Sequence, residues 1–444
     1  MTDARDIALT ILMDIENGTY SNIALERGLR KNQFSEKKDR AFITRLVEGT
    51  VERRITLDYI LDLFSKTRMK KCKPLIRTVL RMGAYQIMYM YSVPDSAACN
   101  ESVRLVKRHG FSNLSGFVNG VLRNVARNRD KIEYPSRDNQ AKYCSIKYSV
   151  PEWLCEKLIS DYPEKAESVL ETMFVERDTT IRVNDNLISR HELVQLLEDK
   201  GIKVSYGLYD EKALHISGYD FVRKLPGYKK GYFAVQDESS MCAIRAAGIK
   251  QNDVVIDMCA APGGKSSAAM LYMDGRGRLF SRDISNEKIP LIEENITAMG
   301  FKLSKPEDMT LLDEYSDLRV NVCCRDALDI QTFLVGRADV VIADVPCSGL
   351  GIAGRKNDIK YRLKADQISE LVTLQRDIMD VAKQYVKKGG TLLYSTCTIN
   401  PDENENNVKL FLNNNSDFEL SSSRLFLPGT DKCDGFYYAV IKRK

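Results

Sequence analysis

Two cysteines of this chain lie in short polar turns that directly follow apolar runs. Cys347 follows the run in ADVVIADVPCSGLG, and Cys397 follows the run in GGTLLYSTCTINPDENE. An apolar run of this length, bounded by Gly, Pro and Ser, is typical of a buried parallel strand. Because open α/β sheets bind ligands beyond the carboxyl ends of such strands, we expect both thiols to face one crevice.

The segment DVVIDMCAAPGGKSS predicts a third buried strand, a Gly-rich turn and the start of a helix, an arrangement that holds nucleotide-like cofactors. The residues expected to contact the cofactor here are Cys259, Ala260, Ala261, Pro262, Gly263, Gly264 and Lys265. The same segment nearly spells the P-loop of an NTPase, with Cys259 in place of the first Gly. The Cys259 side chain and the missing N–H of Pro262 both weaken a phosphate cradle.

Three carboxylates at successive strand ends favour a cofactor other than ATP. Asp283 closes the strand in GRLFSRDIS, where an acid can bind ribose hydroxyls. Asp326 follows the next strand, where an adenine edge would lie, and Asp344 ends the strand before Cys347. A single aspartate often only forms a turn, but three at successive strand ends favour binding. S-adenosylmethionine fits this pattern, because it has ribose and adenine, lacks a triphosphate and carries a sulfonium cation that tolerates acids.

The two thiols suggest covalent chemistry on a pyrimidine. A cytosine ring is a poor nucleophile at C5, but a thiolate added at C6 makes C5 enamine-like and able to attack a sulfonium methyl group. A free cysteine has a pKa of about 8.5, so cationic or dipolar neighbours must favour the thiolate. One such cysteine alone would more often be an ordinary buried residue. Two of them beside Asp344 and a cofactor turn favour catalysis.

The length of 444 residues exceeds what one core supports, and the pattern along the chain predicts three parts. Residues 1–130 carry apolar residues at helical spacing and predict an all-α bundle. Residues 131–230 predict a linker and a small α/β module. Residues 231–444 alternate strands and helices and predict a Rossmann-like, doubly wound, mainly parallel sheet. Within that part, the polar segment 301–320 is expected to be a surface insertion.

Basic charge is concentrated in the N-terminal third. Residues 1–130 contain 23 Lys and Arg against 14 Asp and Glu, a balance of +9, whereas the whole chain carries +5. Most charge runs are solvated faces, but an excess of one sign in one domain favours a phosphate-binding surface. The residues concerned are Arg53, Arg54, Lys66, Arg68, Lys70, Lys71, Lys73, Arg104, Lys107, Arg108, Arg123, Arg127 and Arg129.

Composition argues against several other classes of protein. The N-terminus MTDARDIALT has no apolar signal core, and no run approaches the roughly 20 apolar residues of a membrane span, so we expect a soluble, cytoplasmic protein. The 11 cysteines are odd in number and contain no C-x-x-C pair, and His occurs only 3 times. We therefore expect neither a disulfide framework nor a metal site, and we expect a monomer.

Several motifs together closely resemble one enzyme family. DMCAAPGGKSS, DVPCSG and YSTCT, with Asp283, Asp326 and the earlier IRVN and AVQDESS, are similar to the Sun-type RNA cytosine-C5 methyltransferases. LVEGTVERRITLDYIL, LRMGAYQIMY, VPDSAACNESVRLVKRHG and GFVNGVLRN resemble the NusB-like RNA-binding domain. That pairing is typical of bacterial methyltransferases that act on 16S ribosomal RNA. The resemblance covers nearly the whole chain.

The resemblance implies a role for each motif. Cys397 would be the nucleophile that adds to C6, Cys347 would assist release of the product, and Asp344 would contact the base near the methionine end of the cofactor. The segment 259–265 would wrap S-adenosylmethionine, with Asp283 on its ribose and Asp326 near its adenine. The RNA partner implied is 16S ribosomal RNA, free or partly assembled.

Two departures from the family pattern concern other positions. Arg325 stands where the family usually has Gly, and GRKNDIKY, which we expect in an RNA-facing loop, lacks a Pro that the family often shows.

Three alternative functions differ in the residues and ligands that they require. A DNA cytosine methyltransferase would use Cys347 as nucleophile without needing Cys397, an NTPase would bind ATP and Mg²⁺, and an idle assembly factor would bind RNA through its basic bundle alone. The presence of both thiols, Cys347 and Cys397, together with the three acids Asp283, Asp326 and Asp344, argues against each of these three alternatives.

Overall fold

The computed structural model describes residues 3–32, 36–304 and 318–444. The chain forms two compact units. The helical unit comprises Met1–Val175 and Ala353–Leu363, and the sheet unit comprises Glu176–Ile352 and Lys364–Lys444. Most of the expected surface insertion at 301–320 lies outside the described residues.

From Phe233 to Asn414 the structure is built mainly of alternating strands and helices, as the sequence predicts for the part that begins at residue 231. The helices are α1 Ala4–Glu16, α2 Ser21–Lys31, α3 Lys37–Glu52, α4 Arg54–Phe64, α5 Pro74–Tyr89, α6 Asp95–Arg108, α7 Ser115–Arg127, α8 Gln140–Tyr148, α9 Glu152–Asp161, α10 Ala166–Thr172, α11 Arg190–Glu198, α12 Glu238–Ala247, α13 Gly264–Met273, α14 Ile289–Ala298, α15 Ile359–Arg362, α16 Ala365–Tyr385 and α17 Glu405–Asn414. The strands are β1 Thr179–Val183, β2 Lys203–Tyr206, β3 Ala213–Ser217, β4 Phe233–Val235, β5 Val254–Asp257, β6 Gly277–Asp283, β7 Leu318–Cys324, β8 Ala338–Asp344, β9 Val386–Thr396, β10 Phe418–Phe426 and β11 Phe436–Arg443.

Helices α1 to α10 build the helical unit, and α5 is its most buried member. Pro74 occupies the first turn of α5, where its missing N–H costs nothing, and eleven of the helix's sixteen residues are buried. Helices α8 to α10 belong to this unit too. Thr56 Oγ1 donates to the Ile146 carbonyl over 2.6 Å, and the Ile55 N–H donates to Ser149 Oγ over 2.8 Å. Helices therefore fill much of the stretch where a linker is expected, and the domain limits near 130 and 230 stay predictions.

A strap, residues 353–363, returns from the C-terminal half of the chain into the helical unit. Asp358 accepts hydrogen bonds from the N–H and Oγ of Ser21, over 3.1 and 2.9 Å. Lys360 is 1% exposed and donates to the Glu52 carbonyl over 3.0 Å, as Tyr361 OH does over 2.8 Å. The expectation that GRKNDIKY is an RNA-facing loop is thus wrong for Asp358 and Lys360, because partners far away in the sequence bury them. Only residues 354–356 of this segment are exposed.

The buried Lys360 predicts a pH dependence of stability. Burial lowers the pKa of its ammonium from 10.5 to about 7. The unfolded chain therefore binds a proton that the folded chain does not, and this group makes the free energy of unfolding rise between about pH 7 and pH 10.5. Lys360→Met should flatten that rise and leave the protein at least as stable at pH 7, since Tyr361 still satisfies the Glu52 carbonyl.

Urea unfolding of parent and variant from pH 7 to pH 10 measures this effect. Lys356→Met, at an exposed position of the same strap, is the matched control and should keep the parent's slope. Equal slopes for the parent and Lys360→Met would contradict the prediction.

The sheet unit begins with a small α/β module. Its four antiparallel strands have the order β2-β3-β1-β4, and α11 packs beside β2. Ser189 and Glu192 form a capping box that starts α11. The expected small module is confirmed.

The main sheet has seven strands in the order β10-β11-β9-β8-β5-β6-β7. Strands β5 to β9 run parallel, and β10 and β11 complete the sheet as an antiparallel edge. Strands β6 and β7 follow β5 on one side of the sheet, whereas β8 and β9 lie on the other side of β5. The order of the strands therefore reverses between β5 and β8. Ligands of doubly wound sheets bind at such a reversal, beyond the carboxyl ends of the strands. The Rossmann-like, mainly parallel architecture predicted from the sequence is confirmed.

Candidate active site

The Gly-rich turn joins the carboxyl end of β5 to the N-terminus of α13. Gly263 has φ +103°, and a Cβ built on it would lie 3.1 Å from the Cα of Ile292. The Gly263 N–H donates to the Ala260 carbonyl over 2.6 Å, and Asn295 donates to the Pro262 carbonyl, also over 2.6 Å. A side chain at position 263 would strain the backbone and crowd the backbone of α14, so this turn favours glycine.

Two side chains of the small module hold the start of α13. Arg182, from the IRVN motif, donates to the Gly264 carbonyl over 3.0 Å and to Ser267 Oγ over 2.9 Å. Gln236, from AVQDESS, accepts a hydrogen bond from the same guanidinium. Arg182 is 2% exposed, and burial lowers its pKa to about 10. These two motifs therefore position the Gly-rich turn.

Asp283 links the end of β6 to the turn. One carboxylate oxygen accepts from the Ala261 N–H and the other from the Ser285 N–H, both over 3.0 Å. Asp326 lies two residues beyond the end of β7 and accepts from the Leu328 N–H over 2.9 Å. Both acids lie at the carboxyl edge of the sheet, at the strand ends where the sequence analysis expects them.

Asp344, at the end of β8, is held from two sides. Lys265 Nζ lies 2.6 Å from one carboxylate oxygen, and Ser395 Oγ donates to the other over 2.8 Å. The Lys265 ammonium also lies 5.0 Å from the centre of the Phe436 ring. A charge-assisted pair of this kind fixes the direction of both side chains. Lys265 is thus engaged by a carboxylate of the neighbouring strand.

The two thiols meet at the ends of adjacent strands β8 and β9. Cys347 Sγ and Cys397 Sγ are 3.2 Å apart, which is within hydrogen-bond distance for sulfur. Contact with Cys397 and burial raise the pKa of the Cys347 thiol well above its ordinary value. Cys347 therefore keeps its proton at neutral pH and can donate it as a hydrogen bond to Cys397.

Cys259 lies among carboxylates. Burial raises the pKa of its thiol, and the nearby negative charges of Asp257, Asp344, Asp283 and Asp326 raise it further. The turn is therefore acidic in its surroundings. Cys259 itself is a protonated thiol and not a nucleophile.

Sequence reasoning missed two buried carboxylates of this site. Asp257 ends β5 under the turn, accepts from Ser266 Oγ over 2.7 Å, and burial raises its pKa to about 7. Glu403 lies in the turn after β9 and is fully buried. An acid that closes an apolar run was a signal for Asp257. Glu403 belongs to the acidic string PDENE, whose sequence suggests an exposed turn.

Comparison with known families covers all three parts of the chain. Residues 246–442 match the model for the 16S rRNA methyltransferase RsmB/F, residues 2–127 match the NusB family, and residues 150–220 match the ferredoxin-like domain of RsmF/B-like methyltransferases. Relatives named ribosomal RNA small subunit methyltransferase B include one from Bacillus subtilis, named as probable. It is 35% identical over 100% of this chain and 99% of its own. The chain belongs to the ribosomal RNA small subunit methyltransferase B family.

Two further relatives of the family carry the same name. One from Synechocystis, again named as probable, is 30% identical over 100% of both chains. One from Vibrio cholerae is 30% identical over 92% of this chain and 90% of its own. The match along the full length includes the helical unit, so family membership does not rest on the sheet unit alone.

Solved structures share the fold. The crystal structure of PH0851 covers 100% of this chain and 99% of its own with a TM-score of 0.82 and 22% identity. A methyltransferase homologue from Pyrococcus horikoshii covers 69% of this chain and 99% of its own with a TM-score of 0.58 and 23% identity. In the parts of this chain that the structure describes, we find no helix with the length and hydropathy needed to cross a bilayer.

Proposed function

We propose that this protein transfers a methyl group from S-adenosylmethionine to C5 of a cytosine in 16S ribosomal RNA, through a covalent bond between Cys397 and C6. The observation that carries this proposal is the pair of thiols, 3.2 Å apart at the ends of two adjacent parallel strands. A site with a single nucleophile needs only one thiol at these strand ends. Two thiols in contact suit a reaction in which a covalent bond to the substrate must form and then break.

The contact between the thiols supports a different role for each. The Cys347 thiol, whose pKa is raised, would hold its proton and be the donor of the two, and a hydrogen-bond donor stabilises a thiolate on its partner. Cys397 would attack C6 as the thiolate, and C5 would then take the methyl group while the sulfonium sulfur keeps the electron pair of the broken S–C bond. C5 would next give its proton to solvent, and the electron pair left behind would restore the C5–C6 double bond. The Cys397 thiolate would leave C6 in that step, stabilised by the Cys347 thiol. Asp344, fixed by Lys265 and Ser395, would orient the base.

The residues around the Gly-rich turn fit S-adenosylmethionine better than a triphosphate. The negative charges of Asp344, Asp283 and Asp326 act on Cys259, and they would repel a polyphosphate but attract a sulfonium. Lys265, which would bind phosphates in a P-loop, is paired with Asp344 at 2.6 Å. Asp283, which ends β6 and accepts a hydrogen bond from the Ser285 N–H, would bind ribose hydroxyls. The cofactor would supply an electrophilic methyl group, and the turn would hold it against the thiols.

Asp283→Ala tests the cofactor assignment. Loss of the ribose acceptor should weaken S-adenosylmethionine binding by about 1.5 to 3 kcal/mol, the range of a hydrogen bond to a charged group. Calorimetry measures this difference, with Asp274→Ala, an exposed aspartate of the same unit, as the control that should bind normally. Tight binding of ATP with no binding of S-adenosylmethionine would restore the NTPase interpretation.

The helical unit would bind the RNA substrate. We define the lysine patch as Lys70, Lys71 and Lys73, which are exposed at the N-terminal approach to α5, with Lys73 also 5.1 Å from the centre of the Phe111 ring. Other basic residues from the sequence analysis are engaged within the unit. Arg53 lies over the Tyr89 and Phe174 rings and Arg54 over the Tyr361 ring, while Arg129 pairs with Asp95. Our proposal for the RNA surface therefore excludes these three arginines.

Reversing the lysine patch to glutamate should raise the KM for RNA and flatten the dependence of affinity on salt. Each phosphate contact releases counterions, so three lost contacts reduce the slope of log K against log salt by roughly 2 to 3. A filter-binding series across salt concentrations measures this slope. The same reversal at Lys388, Lys409 and Lys432, exposed lysines of the sheet unit, is the control. Parent-like binding by the patch variant at every salt concentration would show that the patch is only a solvated face.

Bisulfite sequencing tests the proposed function as a whole. We expect 16S ribosomal RNA from a strain lacking this protein to lose a 5-methylcytosine, and the purified protein with S-adenosylmethionine to restore it. Unchanged bisulfite protection in the lacking strain, or methylation of a different base in vitro, would contradict the proposal.

A further inference from the structure

Glu403 is a fully buried carboxylate that both thiol-bearing turns share. It lies in the short helical turn Pro401–Glu403, a few residues after Cys397. Its oxygens accept hydrogen bonds from five groups. These are the Ser348 N–H at 2.8 Å, Ser348 Oγ at 2.5 Å, Gln375 Nε2 at 3.0 Å, Asn400 Nδ2 at 2.9 Å and Thr398 Oγ1 at 3.4 Å.

Two of the partners of Glu403 are immediate neighbours of the thiols in the chain. Ser348 follows Cys347 in the chain, and Thr398 follows Cys397. Their hydroxyls also contact each other at 2.7 Å. One carboxylate thus fastens the turn after β8 to the turn after β9, and the thiols that precede these two hydroxyls face each other at 3.2 Å.

The segment around Glu403 is itself held to β9. Tyr394 OH donates to the Glu403 carbonyl, Thr396 Oγ1 donates to Asn404 Oδ1 over 2.5 Å, and Asn404 Nδ2 donates to the Thr398 carbonyl over 3.0 Å. A buried carboxylate without partners would cost several kcal/mol, so this network is what permits a charge here. The carboxylate is therefore set in a rigid frame.

We propose that Glu403 is a positioning residue of the reaction, which holds the Cys347 and Cys397 turns in contact so that one thiol can serve the other. This proposal rests on the proposed function for its consequences in catalysis. Its geometric part, that Glu403 sets the distance between the thiols, stands apart from the substrate. The negative charge of Glu403 also contributes to keeping the proton on Cys347.

Glu403→Gln is the decisive variant because it keeps the shape and reverses part of the hydrogen bonding. Each carboxylate oxygen of Glu403 accepts hydrogen bonds from at least two donors. In the glutamine variant an NH2 group replaces one of these oxygens, and it cannot accept the hydrogen bonds of the donors that face it. Glu419→Gln, the same change at an exposed position of β10, is the matched control.

Two measurements read the effect. The first is the yield of an internal crosslink between Cys347 and Cys397 with a short bifunctional thiol reagent, located by peptide mass spectrometry without RNA. The second is methyl transfer to 16S ribosomal RNA. In Glu403→Gln we expect the crosslink yield to fall severalfold and kcat to fall about 10-fold to 100-fold, the effect of losing a hydrogen bond to a charged group. The Kd for S-adenosylmethionine and the KM for RNA should stay within about twofold.

A crosslink yield and kcat equal to those of the control would overturn the proposal. If Glu403→Gln does not fold, as judged by its thermal transition, Glu403→Asp takes its place. This variant keeps the charge but shortens the side chain, and a reduced crosslink yield with unchanged cofactor binding supports the proposal, whereas a parent-like yield overturns it. If the parent protein fails to methylate cytosine, the proposed function fails, and the crosslink measurement still decides what Glu403 does.

Discussion

Replacing Cys397 with alanine should abolish methyl transfer and leave S-adenosylmethionine binding unchanged within about twofold. The reason is chemical, because without the thiolate no covalent bond to C6 forms and C5 stays a poor nucleophile. The Gly-rich turn is held by hydrogen bonds to Asp283, Arg182 and Asn295, and none of these contacts involves Cys397. Transfer of a labelled methyl group to 16S ribosomal RNA measures activity, and calorimetry measures cofactor binding.

Cys72→Ala is the control for the general effect of removing a thiol. Cys72 lies in the helical unit and is half-buried, and its loss should leave activity near that of the parent. Full activity of Cys397→Ala would sink the assignment of the nucleophile. Activity lost only in Cys347→Ala would instead favour the arrangement in which the cysteine after Pro346 attacks the base, as in DNA cytosine methyltransferases.

The strand ends of the site were predictable, because buried parallel strands leave a clear signal. The runs before Asp344 and Cys397 are apolar on both faces, and their carboxyl ends must share one edge of the sheet. That rule places Asp283 and Asp344 beside the Gly-rich turn. It also places the two thiols on one edge, although it cannot say that they touch.

The burial of particular charged residues could not be predicted, because the sequence around a charged residue does not show whether water or protein surrounds its side chain. Lys360 and Asp358 are buried by partners more than 300 positions away, at Glu52 and Ser21. Glu403 finds Ser348 at a separation of 55 residues. Only the folded chain brings such donors together, so the strap and the Glu403 network could be found only in the structure.

Cys347→Ala should accumulate a covalent adduct between the protein and RNA. In the parent, the Cys347 thiol lies 3.2 Å from Cys397 and, with its pKa raised by that contact and by burial, remains a hydrogen-bond donor at neutral pH. A hydrogen-bond donor stabilises the free Cys397 thiolate. It gives no such stabilisation to the adduct, in which the Cys397 sulfur is bound to C6 and carries no charge. Removing the donor therefore raises the free energy of the released state and shifts the balance toward the adduct.

The size of that shift follows from the strength of a hydrogen bond to a charged group, about 1.5 to 3 kcal/mol, which corresponds to roughly 10-fold to 150-fold in favour of the adduct. A denaturing gel with labelled RNA should show a slow band that carries both protein and RNA, and intact mass spectrometry should place the bond at Cys397. The double variant Cys347→Ala, Cys397→Ala is the control and should give no band. If Cys347→Ala with RNA and S-adenosylmethionine gives no adduct either, Cys347 does not act in release, and the contact between the thiols serves another step.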